Sequence, residues 1–216
     1  MPLPRIAERL FNFPRLYRAK FAVTGAVLGA VRPMLFKTLV TVDDAISQAR
    51  IPAGSRVCEI GCGDGENYRK VTQAVGSVAY TGIDINPAMT RHCEEHYPDQ
   101  RWLCVTPPYA FSAGAFDYCL IVNVLHHLNS RSQVVEMLAE ARRIAKTVVL
   151  FEPLQSENGA LYAVKNLYWS ITDGGSRYMR LREFHALFAD AGLNVAWERF
   201  SSPLRHFYAA HLIHED

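Results

Sequence analysis

The sequence predicts an α/β fold built on a seven-stranded, mostly parallel sheet with helices on both faces and an antiparallel last strand. Three observations predict it. From Ser55 onward, short apolar runs alternate with longer stretches of helical spacing, the pattern of βα units around a parallel sheet. A glycine-rich run, Gly61-Cys62-Gly63-Asp64-Gly65, stands where the first such strand passes into its helix. The last two apolar runs, Leu193 to Phe200 and Arg205 to Ile213, are joined only by Ser201 to Leu204, a connection that suits an antiparallel pair at one edge.

Pro52-Ala53-Gly54 marks the entrance to the first unit. Arg56 to Ile60 reads as strand one and Glu66 to Val75 as the helix after it. Ser77 to Asp84 is the second strand, and Pro87 opens the next helix, where its missing N–H costs nothing. Arg101 to Val105 is the third, closed by Pro107-Pro108, which cannot continue a ladder. Phe116 to Val122 is the fourth. Between Arg131 and Ala145, Val134, Val135, Leu138, Ala141 and Ile144 follow helical spacing, and Thr147 to Phe151 is a fifth strand whose unbroken apolar run implies burial on both faces. Residues 155–178 carry Tyr162, Leu167, Tyr168 and Trp169 ahead of the turn-rich Asp173-Gly174-Gly175, and read as a cap insertion in which a helix feeds a loop. Arg180 to Ala191 is helical and stops at Gly192, a residue suited to helix C-termini.

At 216 residues and 50% hydrophobic content the chain can bury one full core, and no repeat or low-complexity tract divides it. The organisation expected is a helical lid or extension over residues 1–49, followed by one α/β domain over 50–216. Charge is uneven. Residues 1–37 hold Arg5, Arg9, Arg15, Arg18, Lys20, Arg32 and Lys37 against Glu8, a local +6, which leaves −4 on the rest of a chain whose net charge is +2. With Leu10, Phe11, Phe13, Leu16, Tyr17 and Phe21 interleaved, this stretch suits a packed helical extension or lid over a pocket, peripheral contact with a membrane surface, or an anionic substrate. Arg32, Pro33 and Lys37 end the apolar run from Phe21 to Val31 well short of the ~20 residues that a bilayer span requires. Glu8, Pro4 and Pro14 ahead of that run do not fit a signal peptide. The five cysteines, Cys58, Cys62, Cys93, Cys104 and Cys119, are odd in number and mostly lie in apolar runs, which favours a reducing, cytoplasmic setting. His92-Cys93-x-x-His96 has a spacing that a metal uses on a helix, but without a second ligand cluster it reads as a solvated face, and no metal is expected. A net charge of +2 without an aromatic RNA platform gives no expectation of a nucleic-acid partner.

Glycines at a strand-to-helix turn let a ligand approach the backbone, yet a bare glycine-rich loop occurs in any dinucleotide-binding fold. Three features narrow the reading. Glu59 lies two residues before the first glycine, inside the strand. Glu66 stands where the third glycine of G-x-G-x-x-G would fall, so the nicotinamide-dinucleotide fingerprint is broken. Asp84 ends the second strand, where a carboxylate accepts hydrogen bonds from a ribose diol. Taken together, Val57 to Gly65, Tyr80 to Pro87 and Phe116 to Leu128 resemble the three successive motifs of class I S-adenosylmethionine-dependent methyltransferases. The likeness is to the small-molecule branch that includes ubiquinone and menaquinone biosynthesis. It covers residues 50–152 well and 178–213 loosely, and leaves 1–49 and 155–177 without a counterpart.

The resemblance implies a Rossmann-like sheet and S-adenosyl-L-methionine as cofactor, with S-adenosyl-L-homocysteine as its product. It implies that Glu59, Gly61, Cys62 and Gly63 line the methionine and ribose part of the cofactor, that Asp84 holds the ribose hydroxyls and that Ile85 packs on the adenine. Asn123 and Val124 would lie beside the sulfonium. Relatives commonly place an acid on the adenine amine after the third strand; here that slot is Thr106, so a hydroxyl or backbone group stands in for it. Other readings of single residues remain open: Glu59 as a satisfied buried carboxylate, Asp84 as a helix N-cap, and Cys58 and Cys62 as packing residues.

Methyl transfer displaces a sulfonium, so the protein mainly aligns the acceptor. His126 and His127 follow strand four at the carboxyl edge of the sheet, where ligands of open α/β folds bind, and are candidates for taking a proton from the acceptor. Packing at a helix start is the competing role. Glu152, at the end of strand five, is the next candidate. Tyr162, Tyr168, Trp169 and Tyr178 would give an aromatic lining suited to a small aromatic or apolar acceptor, although core packing accounts for the same residues. A membrane-surface lipid or quinone acceptor, a non-catalytic cofactor-binding module and a nicotinamide-dependent dehydrogenase are the alternatives.

Overall fold

The computed structural model describes residues 40–155, 178–200 and 207–214. One sheet has the strand order β3-β2-β1-β4-β5-β7-β6. Its members are β1 Arg56–Ile60, β2 Ala79–Asp84, β3 Arg101–Cys104, β4 Phe116–Val122, β5 Ala145–Pro153, β6 Asn194–Phe200 and β7 Phe207–Ile213. Strands β1 to β5 run parallel, and β7 lies antiparallel between β5 and β6. The chain leaves β1 toward β2 and β3, then returns to the other side of β1 as β4. That reversal opens a crevice at the carboxyl ends of β1 and β4, where ligands of such sheets bind.

Alternation along the central strands explains the two-sided core. Cys58 and Ile60 of β1, Cys119 and Ile121 of β4, and Val148 and Leu150 of β5 pack on one face. Val57, Leu120, Val122, Val149 and Phe151 pack on the other. Successive side chains point to opposite faces, so strands covered on both sides must be apolar throughout. Helices α1 (Val42–Ala49), α2 (Glu66–Val75) and α3 (Pro87–His96) meet the second face, and α4 (Arg131–Ile144) and α5 (Leu181–Asp190) meet the first.

The helix boundaries follow from local chemistry. The Asn86 side chain accepts from Ala88 N ahead of Pro87 at the first helical position, and Ser130 and Gln133 form a reciprocal capping box on α4. Element ends fall within two residues of the sequence reading; β5 is longer by two at each end, beginning directly at Ala145 and running on to Pro153. The sequence reading did not single out α1 as a core element. Ala45 and Ile46 are buried in the second cluster, and His211 on β7 donates from Nε2 to Ala45 O at 2.9 Å. Burial holds the His211 imidazole below its usual range. The signal was present as Thr41-x-x-Asp44, whose side chains cap the helix reciprocally.

The basic N-terminal stretch, the cap insertion with Tyr162, Tyr168 and Trp169, and the connection 201–206 lie outside the described residues. Among the described residues no helix is long and apolar enough to cross a membrane. No disulfide joins the five cysteines.

Candidate functional site

The glycine-rich loop is hooked onto the end of β2. Gly61 N and Cys62 N both donate to Ile83 O, at 2.7 and 2.9 Å. Gly61 has φ +76°, and a Cβ built there would fall 2.4 Å from Cγ2 of Val124. Only glycine meets both demands, the left-handed backbone and the close approach of the chain that leaves β4. Gly63 N then donates to Asp84 Oδ2 at 2.9 Å, and Asn86 N to Asp84 Oδ1 at 2.8 Å. Asp84 therefore ties the loop to the β2 terminus, and Asn86, not Asp84, caps α3. Burial pushes the Asp84 carboxyl up, opposed by the N–H donors of Asn86 and Gly63.

Glu59 is fully buried, between β1, β2 and α2. Asn67 Nδ2 donates to its Oε1 at 2.6 Å, and the Tyr80 hydroxyl donates to Oε2. Burial pushes its carboxyl up to about 7 against those two hydrogen bonds. Both of its oxygens are thus engaged, one by α2 and one by β2. Cys62 is also buried, and its hydrogen bond with Cys93 together with burial drives its thiol far above the ordinary range.

Beyond Asp84 the surface opens. Ile85 is 73% exposed, an unusual setting for a large aliphatic side chain. Together with Cys104, Val105, Thr106 and residues 108–110 it lines a cavity of about 360 Å³.

A second carboxylate organises the other side of the crevice. Glu152, at the end of β5, is fully buried. Its Oε1 accepts from Val124 N at 2.6 Å and Leu125 N at 2.8 Å, and its Oε2 pairs with His126 Nδ1 at 2.8 Å. These bonds hold the turn after β4, where Asn123 adopts φ +56° and donates from N to Phe151 O at 2.8 Å. With two backbone N–H groups already on the carboxylate, His126 donates from Nδ1, so its neutral form carries a lone pair on Nε2. The His126 ring is buried and stacks on Tyr178 at 5.5 Å, and the exposed His127 ring lies 4.1 Å away.

The predicted residues thus gather at the carboxyl ends of β1, β2, β4 and β5, with Thr106 on the neighbouring slot past β3. Sequence reasoning did not find Asn67 and Tyr80 as partners of Glu59. Their signal was only their spacing, a helix residue eight after Glu59 and a phenol on the adjacent strand. Among the described residues no cluster of metal-ligating side chains occurs.

A parallel sheet with a glycine-hooked loop, a strand-end carboxylate and an exposed apolar slot at its switch point defines an α/β protein of the nucleoside-cofactor class. Residues 38–197 match the family model for the methyltransferase domain, and the chain belongs to that family, whose cofactor is S-adenosyl-L-methionine. Over 132 residues, 61% of this chain, it is 30% identical to tRNA (carboxymethyluridine(34)-5-O)-methyltransferase alkbh8 of Xenopus tropicalis, of which it spans only 19%. A SAM-dependent methyltransferase from Methanosarcina mazei shares the fold with a TM-score of 0.66 at 16% identity, over 82% of this chain and 98% of that one. Geranyl diphosphate C-methyltransferase from Streptomyces coelicolor A3(2), solved with Mg2+, geranyl diphosphate and S-adenosyl-L-homocysteine, shares it with a TM-score of 0.65 at 11% identity, over 80% and 79%.

Proposed function

We propose that this chain transfers the methyl group of S-adenosyl-L-methionine to a small-molecule acceptor of aromatic or apolar character. The observation that carries the reading is the meeting of the Gly61–Gly63 loop, Asp84 and the Asn123–Val124 turn at the sheet's switch point, beside a slot walled by exposed Ile85. The cofactor brings an electrophilic methyl on a sulfonium, and the chain's residues do the rest. The Gly61–Gly63 loop lines the methionine and ribose part, with Glu59 behind it. Asp84 accepts from the ribose hydroxyls, Ile85 and Thr106 flank the adenine, and Asn123 and Val124 border the reacting centre.

On the acceptor side, His126 or His127 would take a proton from the acceptor, with Glu152 orienting the His126 ring. His127 flanks it. Glu152 is a positioning residue, since both of its oxygens face the turn and His126. Tyr178, stacked on His126, supports an aromatic or apolar acceptor. A tRNA acceptor is the second reading, favoured by the similarity to the Xenopus enzyme.

Calorimetry with S-adenosyl-L-homocysteine tests the foundation. The parent should bind, and Asp84→Ala should bind roughly ten- to a hundredfold more weakly, as expected for hydrogen bonds lost from a charged group. A parent that does not bind would sink the proposal, and binding without transfer to any acceptor would leave a non-catalytic module. Label from the cofactor methyl should pass to phenols or quinols, in solution or in vesicles; transfer to tRNA alone would replace the acceptor reading.

A further inference from the structure

Residues 105–115 cross from β3 to β4 with no helix or strand of their own. Backbone groups in such a crossing have no ladder or helix to bond within, so their partners come from elsewhere. Two side chains near the end of α4 supply them. The guanidinium of Arg143 donates from Nη1 to Phe111 O at 2.6 Å and from Nη2 to Tyr109 O at 2.9 Å. Glu140 Oε1 accepts from Tyr109 N at 2.8 Å, and Glu140 Oε2 accepts from Arg143 Nε at 2.7 Å, so the two side chains also hold each other. The backbone adds one bond, from Gly114 N to Arg143 O at 2.9 Å. The same crossing walls the cavity of about 360 Å³ beside Ile85 through Thr106, Pro108, Tyr109 and Ala110. Tyr109 therefore belongs to both the wall and the clamp. Neither Glu140 nor Arg143 is among the described residues that line the cavity.

Resting on the cofactor site proposed above, we infer that Arg143, held by Glu140, is a positioning residue that fixes this crossing from α4 and so sets the affinity for the cofactor. The planar fork of an arginine reaches two carbonyls and a carboxylate at once, which the single ammonium of a lysine does not. The Arg143 side chain is 37% exposed, so its removal lets water reach the two carbonyls. The loss of fold stability is then smaller than for a cavity cut into the core, whereas the wall loses its fixed place.

Calorimetry with S-adenosyl-L-homocysteine, beside denaturant unfolding, tests this. Arg143→Ala should weaken binding about tenfold, and Arg143→Lys about fivefold, because one arm of the fork is replaced and the other is lost. Leu138→Ala, in the buried face of the same helix, is the control. It should lower stability more than Arg143→Ala does and still bind within about twofold of the parent. Parent-like binding by Arg143→Ala overturns the inference, and so does a loss in Leu138→Ala as large as that in Arg143→Ala. Should Arg143→Ala not fold, the same two comparisons are made with Arg143→Lys. Failure of the parent to bind overturns instead the cofactor site on which the inference rests.

Discussion

Two glutamates of this protein are wholly buried at the carboxyl ends of parallel strands, and they are used in opposite ways. Glu59 on β1 is held by side chains, Tyr80 and Asn67, and faces the interior between sheet and α2. Glu152 on β5 is held by the backbone of Val124 and Leu125 and by His126, and faces the turn that borders the crevice. The first carboxylate accepts one side-chain hydrogen bond on each oxygen and touches no backbone donor of the crevice. The second is the anchor of a turn containing a left-handed Asn123. Burial alone does not tell a structural acid from an organising one; the identity of its donors does.

The largest effect expected follows from this difference. Glu152→Ala would strand three donors in the interior, two N–H groups and an imidazole N–H. The expected cost is on the order of 3–5 kcal/mol, read by denaturant unfolding, with loss of S-adenosyl-L-homocysteine affinity as Val124 drifts from Gly61. Glu152→Gln keeps one oxygen for the two backbone donors but no longer accepts from Nδ1 on the other side. It should retain cofactor affinity while kcat falls and the pH profile of transfer changes shape, since the tautomer of His126 is released. Equal loss of affinity and kcat in Glu152→Gln would reduce the residue to a structural role.

Gly61→Ala sharpens the comparison from the other side of the crevice. The added Cβ meets Val124 at 2.4 Å in a left-handed backbone, so the loop or the turn must move. A destabilisation of about 3 kcal/mol is expected from strain and overpacking together, with cofactor affinity lost out of proportion to stability. Pairing it with Val124→Ala should restore part of the stability, because the clash is with that side chain. If the double variant gains nothing, the contact between the two loops is not what makes Gly61 necessary.

How far the sequence revealed this arrangement differs between fold and site. The central strands were legible because each is covered on both faces, which forces apolar runs such as Val148-Val149-Leu150-Phe151 between helical stretches, and the edge strands β3 and β6 from the Pro107-Pro108 stop and the short Ser201 to Leu204 connection. Asp84 and the Gly61–Gly63 loop were legible as positions, since a strand end and a glycine turn are local features. What Glu59 and Glu152 touch was not, because their partners arrive from elsewhere in the chain. Asn67 comes from α2 and Tyr80 from β2, while the turn at residues 124–126 lies 26–28 residues before Glu152. The core role of α1 was hidden for a related reason: a helix of eight residues offers little periodicity, and its capping box was its main mark.

The smallest effect expected concerns the proton on Glu59. Its carboxyl ordinarily titrates near 4.5 and burial pushes it up to about 7, so between these values the folded protein keeps a proton that the unfolded chain has lost. The sign follows: the contribution of Glu59 to stability is fully present below about 4.5 and is lost as pH rises through about 7. His211 works in the opposite direction, because burial lowers its affinity for a proton and acidification then favours the unfolded chain. The raw stability profile therefore mixes the two, and the difference between parent and Glu59→Gln isolates one. Glu59→Gln offers the Tyr80 hydroxyl an acceptor without the charge, so its unfolding free energy should match the parent near pH 5 and exceed it above pH 7. Parallel profiles for the two proteins would show that Glu59 stays ionised in the fold. In that case the two buried glutamates would differ in partners but not in charge, and the distinction drawn between them would rest on geometry alone.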